Sequence, residues 1–172
     1  DHVFIGSPTN LHIQNLTIEA WIKRASTSET TRDPSTGDDG AIFMFGQEGY
    51  GLTLAPTGEL RFTKIGIDHV QSSTLSITDL NWHHIAVAKA GSTVKFYVDG
   101  AEESTEPYDP GFTFLTNAAI GARGDDLRQS FWGLIDEVTI YNRALSAAEI
   151  HAIFNAGSAG KRFNTSARRE AQ

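Results

Sequence analysis

The stretch that decides the fold of this 172-residue chain is Phe131-Trp-Gly-Leu-Ile-Asp-Glu-Val-Thr-Ile-Tyr-Asn-Arg-Ala-Leu-Ser-Ala-Ala-Glu-Ile-His-Ala-Ile-Phe-Asn-Ala-Gly157. In its first half, residues 134–141 alternate as a β-strand does, and Leu134 and Val138 share one apolar face. Asp136 falls on that same face, where a carboxylate is costly unless hydrogen bonds or a cation compensate it. Asp136 is therefore a candidate ligand for a cation; otherwise it accepts hydrogen bonds from backbone amides or pairs with an arginine such as Arg143.

The second half of the stretch predicts one short helix with clear boundaries. Ser146 and Glu149 have the spacing of a capping box, with Ser146 as the N-cap residue. Ile150 and Phe154 continue an apolar stripe at helical spacing, and Gly157 supplies the C-terminal stop. A strand followed by a single amphipathic helix thus lies near the end of a chain that is otherwise rich in strand patterns.

The rest of the chain consists of short alternating segments separated by glycine and proline turns. Residues 50–55 and 59–65 predict a hairpin around Pro56-Thr-Gly58, and Asp99-Gly100 predicts a second tight turn. Many short strands together with a single helix predict an antiparallel sandwich.

Three ring side chains in these strands raise the question of a binding site. Trp21 falls on the outer face of its strand, where it is either a ligand platform or a filler beneath a loop. His83 and His84 are adjacent in a strand, so their rings face opposite sides of the sheet. Because such rings do not readily converge on one ion, structural histidines are favoured over a metal site.

The run from Gly133 to Ile150 resembles the closing signature of laminin-G-like jelly-roll domains of the concanavalin A-like superfamily. Residues 16–22 are similar to the early strand of that family, and residues 81–100 are similar to its central hairpin. The three matches follow the family's order and together span residues 1–160. The resemblance implies an all-β fold, an antiparallel two-sheet jelly-roll sandwich with one short helix on the C-terminal side. Residues 161–172 are then expected to be a linker or a disordered tail.

Composition limits the partners of such a domain. The chain has no cysteine and a net charge of −7, and residues 1–160 carry 10 basic and 20 acidic side chains. This acidic body disfavours nucleic acid and anionic membrane surfaces as partners. No apolar run approaches the roughly 20 residues of a membrane-spanning helix, so membrane insertion is not expected. The lack of cysteine excludes disulfides and thiolate chemistry.

The resemblance also implies a structural calcium ion (Ca2+). In similar domains an aspartate matching Asp136 gives a side-chain oxygen to calcium, and other ligands come from near the N-terminus and from the loop after the second strand. Asp1, Asp38 and Gly40 are the residues at those positions here. The polar loop at 25–40 independently offers hard oxygen ligands on flexible backbone, which suits calcium. A solvated surface loop is the other interpretation of the same composition.

Carbohydrate is the ligand class that the resemblance implies, because similar domains are often attached to secreted glycan-degrading enzymes and adhesins. A sugar site needs an aromatic platform with polar groups around its rim. The candidates lie in predicted loops or at strand ends, and nothing in the pattern shows that they meet in space, so ordinary surface positions are the alternative. These candidates are Tyr50, His69, Arg123, Asp125 and Trp132.

The function predicted from the sequence is a non-catalytic carbohydrate-binding module of a larger secreted or cell-surface protein, expected to be monomeric within a multidomain chain. A protein-binding adhesion or spacer module is the alternative. A catalytic jelly roll is disfavoured, because retaining hydrolases need two carboxylates about 5 Å apart. On related sheets these lie in a Glu-x-Asp-x-Glu or Glu-x-Asp-x-x-Glu run, which the sequence lacks. The adjacent acidic pairs Asp136-Glu137 and Glu102-Glu103 face opposite sides of a strand instead.

Overall fold

The described part of the chain, residues 1–33 and 37–157 of a computed structural model, forms eleven β-strands and one α-helix. The strands in chain order are β1 Val3–Gly6, β2 Leu16–Arg24, β3 Gly40–Phe45, β4 Tyr50–Leu54, β5 Glu59–Lys64, β6 Asp68–Ser76, β7 Trp82–Ala90, β8 Thr93–Val98, β9 Ala101–Ser104, β10 Ala118–Ile120 and β11 Gly133–Tyr141. The helix, α1, spans Ala147–Ala156, and a short 3₁₀ turn lies at Thr9–Leu11.

The strands form two antiparallel sheets. The six-stranded sheet has the order β1–β10–β3–β4–β5–β6, and the five-stranded sheet has the order β11–β2–β7–β8–β9. Neighbouring strands pair antiparallel in both sheets. This architecture confirms the predicted all-β jelly-roll sandwich with one short helix on the C-terminal side. The predicted domain end at residue 160 and the predicted tail at 161–172 lie outside the described residues.

The core of the sandwich lies between the two sheets. Ile18 and Val87 of the five-stranded sheet and Leu52 and Phe62 of the six-stranded sheet are fully buried in one continuous cluster. Because successive side chains of a strand point to opposite faces, every second residue is left on an outer face of the sandwich. The candidate sites described below are built from those outward-facing residues.

Helix α1 packs against the outer face of the five-stranded sheet. Leu145 and Ile150 are buried there with Ala86, Ala88 and Tyr97 of β7 and β8. The amphipathic stripe read from the sequence therefore covers a sheet face and not the central core. Within the described residues, no helix combines the length and the apolar character needed to span a membrane.

The ends of α1 follow the punctuation predicted from the sequence. Ser146 Oγ accepts a hydrogen bond from the Glu149 N–H group, and Glu149 Oε2 accepts one from the Ser146 N–H group at 2.9 Å. Gly157 follows the helix with a φ of 52°, a conformation that a residue with a side chain adopts only with strain. The capping box and the C-terminal stop are confirmed.

A bulge in β11 corrects the interpretation of Asp136. Asp136 lies opposite Trp21, and Thr139 lies opposite Glu19. Between these two pairs β11 therefore contains one residue more than β2. Glu137 within this bulge has a φ of 55°. The extra residue switches the alternation, so that Val138 faces the core whereas Asp136 is exposed. The inference that Asp136 points into an apolar layer was therefore wrong.

Candidate functional site

A polar groove lies on the outer face of the six-stranded sheet, on the side of the molecule opposite α1. It encloses about 180 Å³. The groove is defined by residues of β3, β4, β5 and β6 and of the loops beside them: Asp39, Met44, Thr53, Arg61, Thr63, Ile65, Gly66, His69, Arg123 and Gln129. Two of the sequence-predicted ligand residues, His69 and Arg123, therefore come together here.

One wall of the groove carries an ordered ion pair between Arg61 and Asp39. Arg61 Nη1 donates to Asp39 Oδ1 at 2.7 Å, and Arg61 Nε donates to Gln71 Oε1 at 3.1 Å. The second carboxylate oxygen of Asp39 accepts a hydrogen bond from Thr53 Oγ1 at 3.0 Å. Three hydrogen bonds thus fix the position of both charged groups before any ligand arrives.

A second arginine–carboxylate pair lies at Arg123 and Asp125. Arg123 Nη2 donates to Asp125 Oδ2 at 3.0 Å, and the same oxygen accepts the Gln47 N–H group at 3.0 Å. Burial has the largest single effect on the Asp125 carboxyl and raises its pKa. Hydrogen bonds from Arg123 and Gln47 together outweigh burial and hold the pKa below its usual value. Asp125, predicted as a ligand residue, therefore stands next to the groove as the partner of Arg123.

The remaining groups of the groove give it a mixed chemical character. His69 is exposed, and the hydroxyl group of Thr63 donates to the Asp68 carbonyl oxygen at 3.0 Å. Met44 and Ile65 form a small buried apolar cluster with Ala41 on this face of the sheet. The groove thus offers hydrogen-bond donors, acceptors and an apolar contact, but its ring side chain is a histidine and not the aromatic platform expected from the sequence.

Tyr50 does not belong to the groove, and its prediction as a ligand residue is wrong. Its side chain is fully buried in the central core, in a T-shaped contact with Phe45 at 5.1 Å between ring centroids. The hydroxyl group donates to the Leu11 carbonyl oxygen at 3.0 Å, and burial raises the pKa of Tyr50 far above its usual value. Alternation along β4 places Tyr50 on the inner face, because the neighbouring Gly51 takes the outer one.

Trp132 lies apart from the groove, in a larger depression of about 580 Å³ that it shares with Glu29, Arg32 and Asp38. The Arg32 guanidinium carbon lies 3.9 Å from the centre of the Trp132 ring, so a cation from the chain itself already stacks on the indole. Trp132 and His69, both candidate ligand residues, therefore line different surface depressions and do not meet in space.

The four residues predicted to bind calcium are also distributed over separate places. Asp1 lines a depression beside Gly121, Asp38 lines the one at Trp132, and Asp136 lines a third one beside Trp21. Gly40 is buried at the start of β3. In residues 1–33 and 37–157, no group of three or more histidine, aspartate or glutamate side chains is placed to hold a metal ion. The described residues thus form no cluster of carboxylates around one calcium ion, and calcium binding stays a prediction from the sequence.

Sequence reasoning missed Asp39 and Arg61, which carry the best-ordered polar contacts of the groove. In the sequence, Asp39 falls within the polar loop at 25–40 and Arg61 falls within a strand of the predicted hairpin. The sequence contains a usable signal, because Thr53, Arg61 and Thr63 are polar residues that alternate with apolar ones along two neighbouring strands. Outward-facing polar residues on neighbouring strands mark a continuous polar surface.

Comparison with known proteins identifies the family. The family model of the laminin G type, described as the concanavalin A-like lectin/glucanases superfamily, matches residues 1–151. The chain belongs to this family. It is also 24% identical over 159 residues to the adhesion G-protein coupled receptor V1 of Danio rerio, a match that covers 83% of this chain but only 2% of the receptor.

Solved structures share the fold. Domain 4 of a GH43 extracellular arabinanase from Geobacillus stearothermophilus, in complex with arabinotriose, is 24% identical with a TM-score of 0.60, over 81% of this chain and 66% of that one. A putative carbohydrate-binding protein from Bacteroides ovatus is 17% identical with a TM-score of 0.68, over 88% of this chain and 44% of that one. The CBM40 domain of a Ruminococcus gnavus sialidase, bound to α2,3-sialyllactose, is 14% identical with a TM-score of 0.63, over 84% of each chain.

Proposed function

We propose that this domain is a non-catalytic carbohydrate-binding module of a larger extracellular or cell-surface protein, and that the groove of the six-stranded sheet is its ligand site. The observation that carries the proposal is the presence of two preorganised arginine–carboxylate pairs, Arg61–Asp39 and Arg123–Asp125, at one polar groove. Domains of similar fold were solved with arabinotriose and with sialyllactose, which supports carbohydrate as the ligand class.

The two pairs match the chemistry of sugar hydroxyl groups. A guanidinium group only donates hydrogen bonds and a carboxylate only accepts them, whereas a hydroxyl group does both. Neighbouring hydroxyls of one sugar ring therefore fit a donor and an acceptor held side by side, as Arg61 and Asp39 are at 2.7 Å. Each pair is close to electrically neutral, so the groove favours a neutral glycan.

A catalytic role fits the groove less well. Glycoside hydrolysis needs a carboxylic acid that stays protonated until it gives its proton to the leaving group, which requires a raised pKa. Asp39 and Asp125 are each paired with an arginine, and the pKa of Asp125 is lowered and not raised. Asp125 is therefore suited to accept hydrogen bonds from a ligand and not to protonate it.

We expect the Arg61→Ala variant to lose most of its glycan binding. Charge-assisted hydrogen bonds contribute about 1.5–3 kcal/mol each, so the dissociation constant should rise by about tenfold or more. The measurement is affinity electrophoresis in gels that contain arabinan, xylan, β-glucan or pectin, with the melting temperature of each variant recorded in parallel. Arabinan is included because one similar domain was solved with arabinotriose.

Arg143→Ala is the matched control for this experiment. Arg143 also forms a close arginine–carboxylate pair, with Glu149 at 2.6 Å, but at the start of α1 and far from the groove in the fold. Binding that is lost in Arg61→Ala and kept in Arg143→Ala places the ligand in the groove. If both variants and the unmodified domain bind equally well, the groove is not the ligand site. If no polysaccharide retains the unmodified domain, glycan binding itself is contradicted.

Protein binding is the second candidate function. The relative from Danio rerio is an adhesion receptor, and the binding domain of a botulinum neurotoxin, solved with rat synaptotagmin II, shares the fold at a TM-score of 0.63 over 90% of this chain and 40% of that one. A domain that ignores every polysaccharide but binds a protein ligand through the Arg61 groove would favour this function.

Calcium binding stays a prediction from the sequence and is tested separately. An ion that binds the folded domain and not the unfolded chain raises stability by mass action. The prediction is a higher melting temperature in millimolar CaCl₂ than in EDTA at equal ionic strength, with MgCl₂ as the control for a general cation effect. An unchanged melting temperature would contradict calcium binding by this domain.

A further inference from the structure

A second pocket lies on the other side of the sandwich, where α1 ends against the five-stranded sheet. Its volume is about 360 Å³, and it is lined by Trp21, Trp82, Asp136, Glu137 and Gly157. We call it the indole pocket. It shares no residue with the polar groove of the six-stranded sheet and has no part in the proposed glycan binding.

The strand register brings the members of the indole pocket together. Trp21 of β2 lies between His84 of β7 and Asp136 of β11 in the two ladders of the sheet. Trp82 precedes His84 by two residues, so it falls on the same outer face. The β11 bulge completes the arrangement, because it turns Asp136 outwards beside Trp21 and gives Glu137 its unusual φ of 55°.

The two indole rings differ in their roles. Trp21 is held in place by a stacking contact with Phe154 of α1 at 6.0 Å between centroids and an edge contact with His84 at 5.5 Å. Trp82, the first residue of β7, is 41% exposed, which is high for a tryptophan. The pocket thus has one fixed ring as a wall and one ring that remains available to a ligand.

The lining groups select for positive charge. The face of an indole ring is electrostatically negative and attracts ammonium and guanidinium groups, tryptophan most strongly of the aromatic residues. Ionised Asp136 and Glu137 accept hydrogen bonds and donate none. Hard ions such as calcium use only oxygen ligands and gain nothing from two indoles, whereas an alkylammonium group uses both kinds of lining.

We propose that the indole pocket binds an alkylammonium cation. The cation is either a small quaternary ammonium compound or the side chain of a lysine on a protein partner, since each carries one positive charge on a nitrogen that is bonded to alkyl carbon. Trp82 contacts the alkyl groups, and Asp136 balances the charge. Lys23, which lies opposite Trp82 in the β2–β7 ladder, adds positive charge near the pocket and weakens binding.

The test is a titration of the ¹⁵N-labelled domain with tetramethylammonium chloride, followed by the indole N–H resonances. The three tryptophans give one such signal each, so Trp132 serves as an internal reference on another part of the surface. We expect saturable shifts of the Trp21 and Trp82 signals and no shift of the Trp132 signal. Sodium chloride at equal ionic strength and tert-butanol, an uncharged analogue, are the ligand controls.

Variants separate a specific site from general attraction. Asp136→Asn should weaken tetramethylammonium binding about five- to tenfold, as expected for loss of the charge partner in a cation–π site. Lys23→Gln should strengthen binding, and Asp126→Asn, which alters an exposed acid in another loop, should leave it unchanged. Shifts that do not saturate, that tert-butanol reproduces or that Asp136→Asn leaves unchanged would overturn the proposal.

A second pair of titrations distinguishes the two sources of the cation. Choline represents the small quaternary ammonium compounds, and N-acetyl-lysine-methylamide represents a lysine side chain. Tighter binding of choline assigns the pocket to a small molecule, and tighter binding of the lysine derivative assigns it to a protein partner. Failure of both ligands overturns the proposal and leaves glycan binding in the opposite groove unaffected.

Discussion

Replacing Glu19 with alanine is expected to lower the free energy of unfolding by about 3 kcal/mol, because it leaves the hydrogen-bonding group of a fully buried histidine without its partner. Glu19 Oε2 lies 2.9 Å from His84 Nε2, and both side chains have no solvent exposure. The ring of Phe154 in α1 lies 6.1 Å from the His84 ring, so the pair sits beneath the helix. Urea denaturation at pH 7, followed by circular dichroism, measures the loss.

The double variant Glu19→Leu, His84→Leu is the control for this prediction. Because both members of the pair are replaced by apolar groups, neither is left alone in the interior, and the loss of stability should be smaller than in Glu19→Ala. A loss below about 1 kcal/mol in Glu19→Ala, the size of an ordinary surface substitution, would contradict a buried pair. So would a double variant that loses as much as the two single variants combined.

The sequence predicted the local features of the fold well. The capping box at Ser146 and Glu149, the tight turn at Asp99-Gly100 and the hairpin around Pro56-Thr-Gly58 are all present. Each depends on residues a few positions apart, so its physical cause is contained in a short stretch of chain. The separation of His83 and His84 follows from the strand period alone, and the two rings bind different acidic partners.

Asp136 shows where local reasoning fails. Its exposure results from one extra residue in β11, and this bulge is defined by pairing with β2, a strand more than a hundred positions away in the chain. A period-2 pattern assumes an unbroken ladder, and one added residue reverses the faces of every residue beyond it. Leu134 and Asp136 share a face as predicted, but it is the exposed face and not the core.

The candidate site was only partly predictable for a related reason. His69 and Arg123 are candidates from the sequence because exposed polar residues at loops and strand ends are usual in binding sites. Their meeting in one groove depends on the order β10–β3–β4–β5–β6 in the sheet, which no short pattern contains. Asp39 and Arg61 gain their importance only from pairing with each other across that sheet face.

Tyr50→Ala is expected to lower the free energy of unfolding by about 3–5 kcal/mol, the usual cost of truncating a large buried aromatic side chain. Tyr50 packs against the rings of Phe43, Phe45 and Phe112 at 5.7, 5.1 and 5.5 Å between centroids, so alanine would leave a cavity among them. A loss of glycan binding in this variant would then reflect partial unfolding of the domain. Such a loss would imitate the loss of a ligand residue.

Tyr50→Phe separates these two explanations. It keeps the ring and removes only the hydroxyl group that donates to the Leu11 carbonyl oxygen at 3.0 Å, which should cost about 1 kcal/mol. Because Tyr50 is fully buried and far from Arg61 and His69 on the outer face, the variant should bind glycan as tightly as the unmodified domain. Denaturation curves and affinity electrophoresis of the same samples measure both quantities. If the Tyr50→Phe variant stays folded but no longer binds glycan, the Tyr50 hydroxyl group takes part in ligand binding. That result would contradict the assignment of Tyr50 to the core.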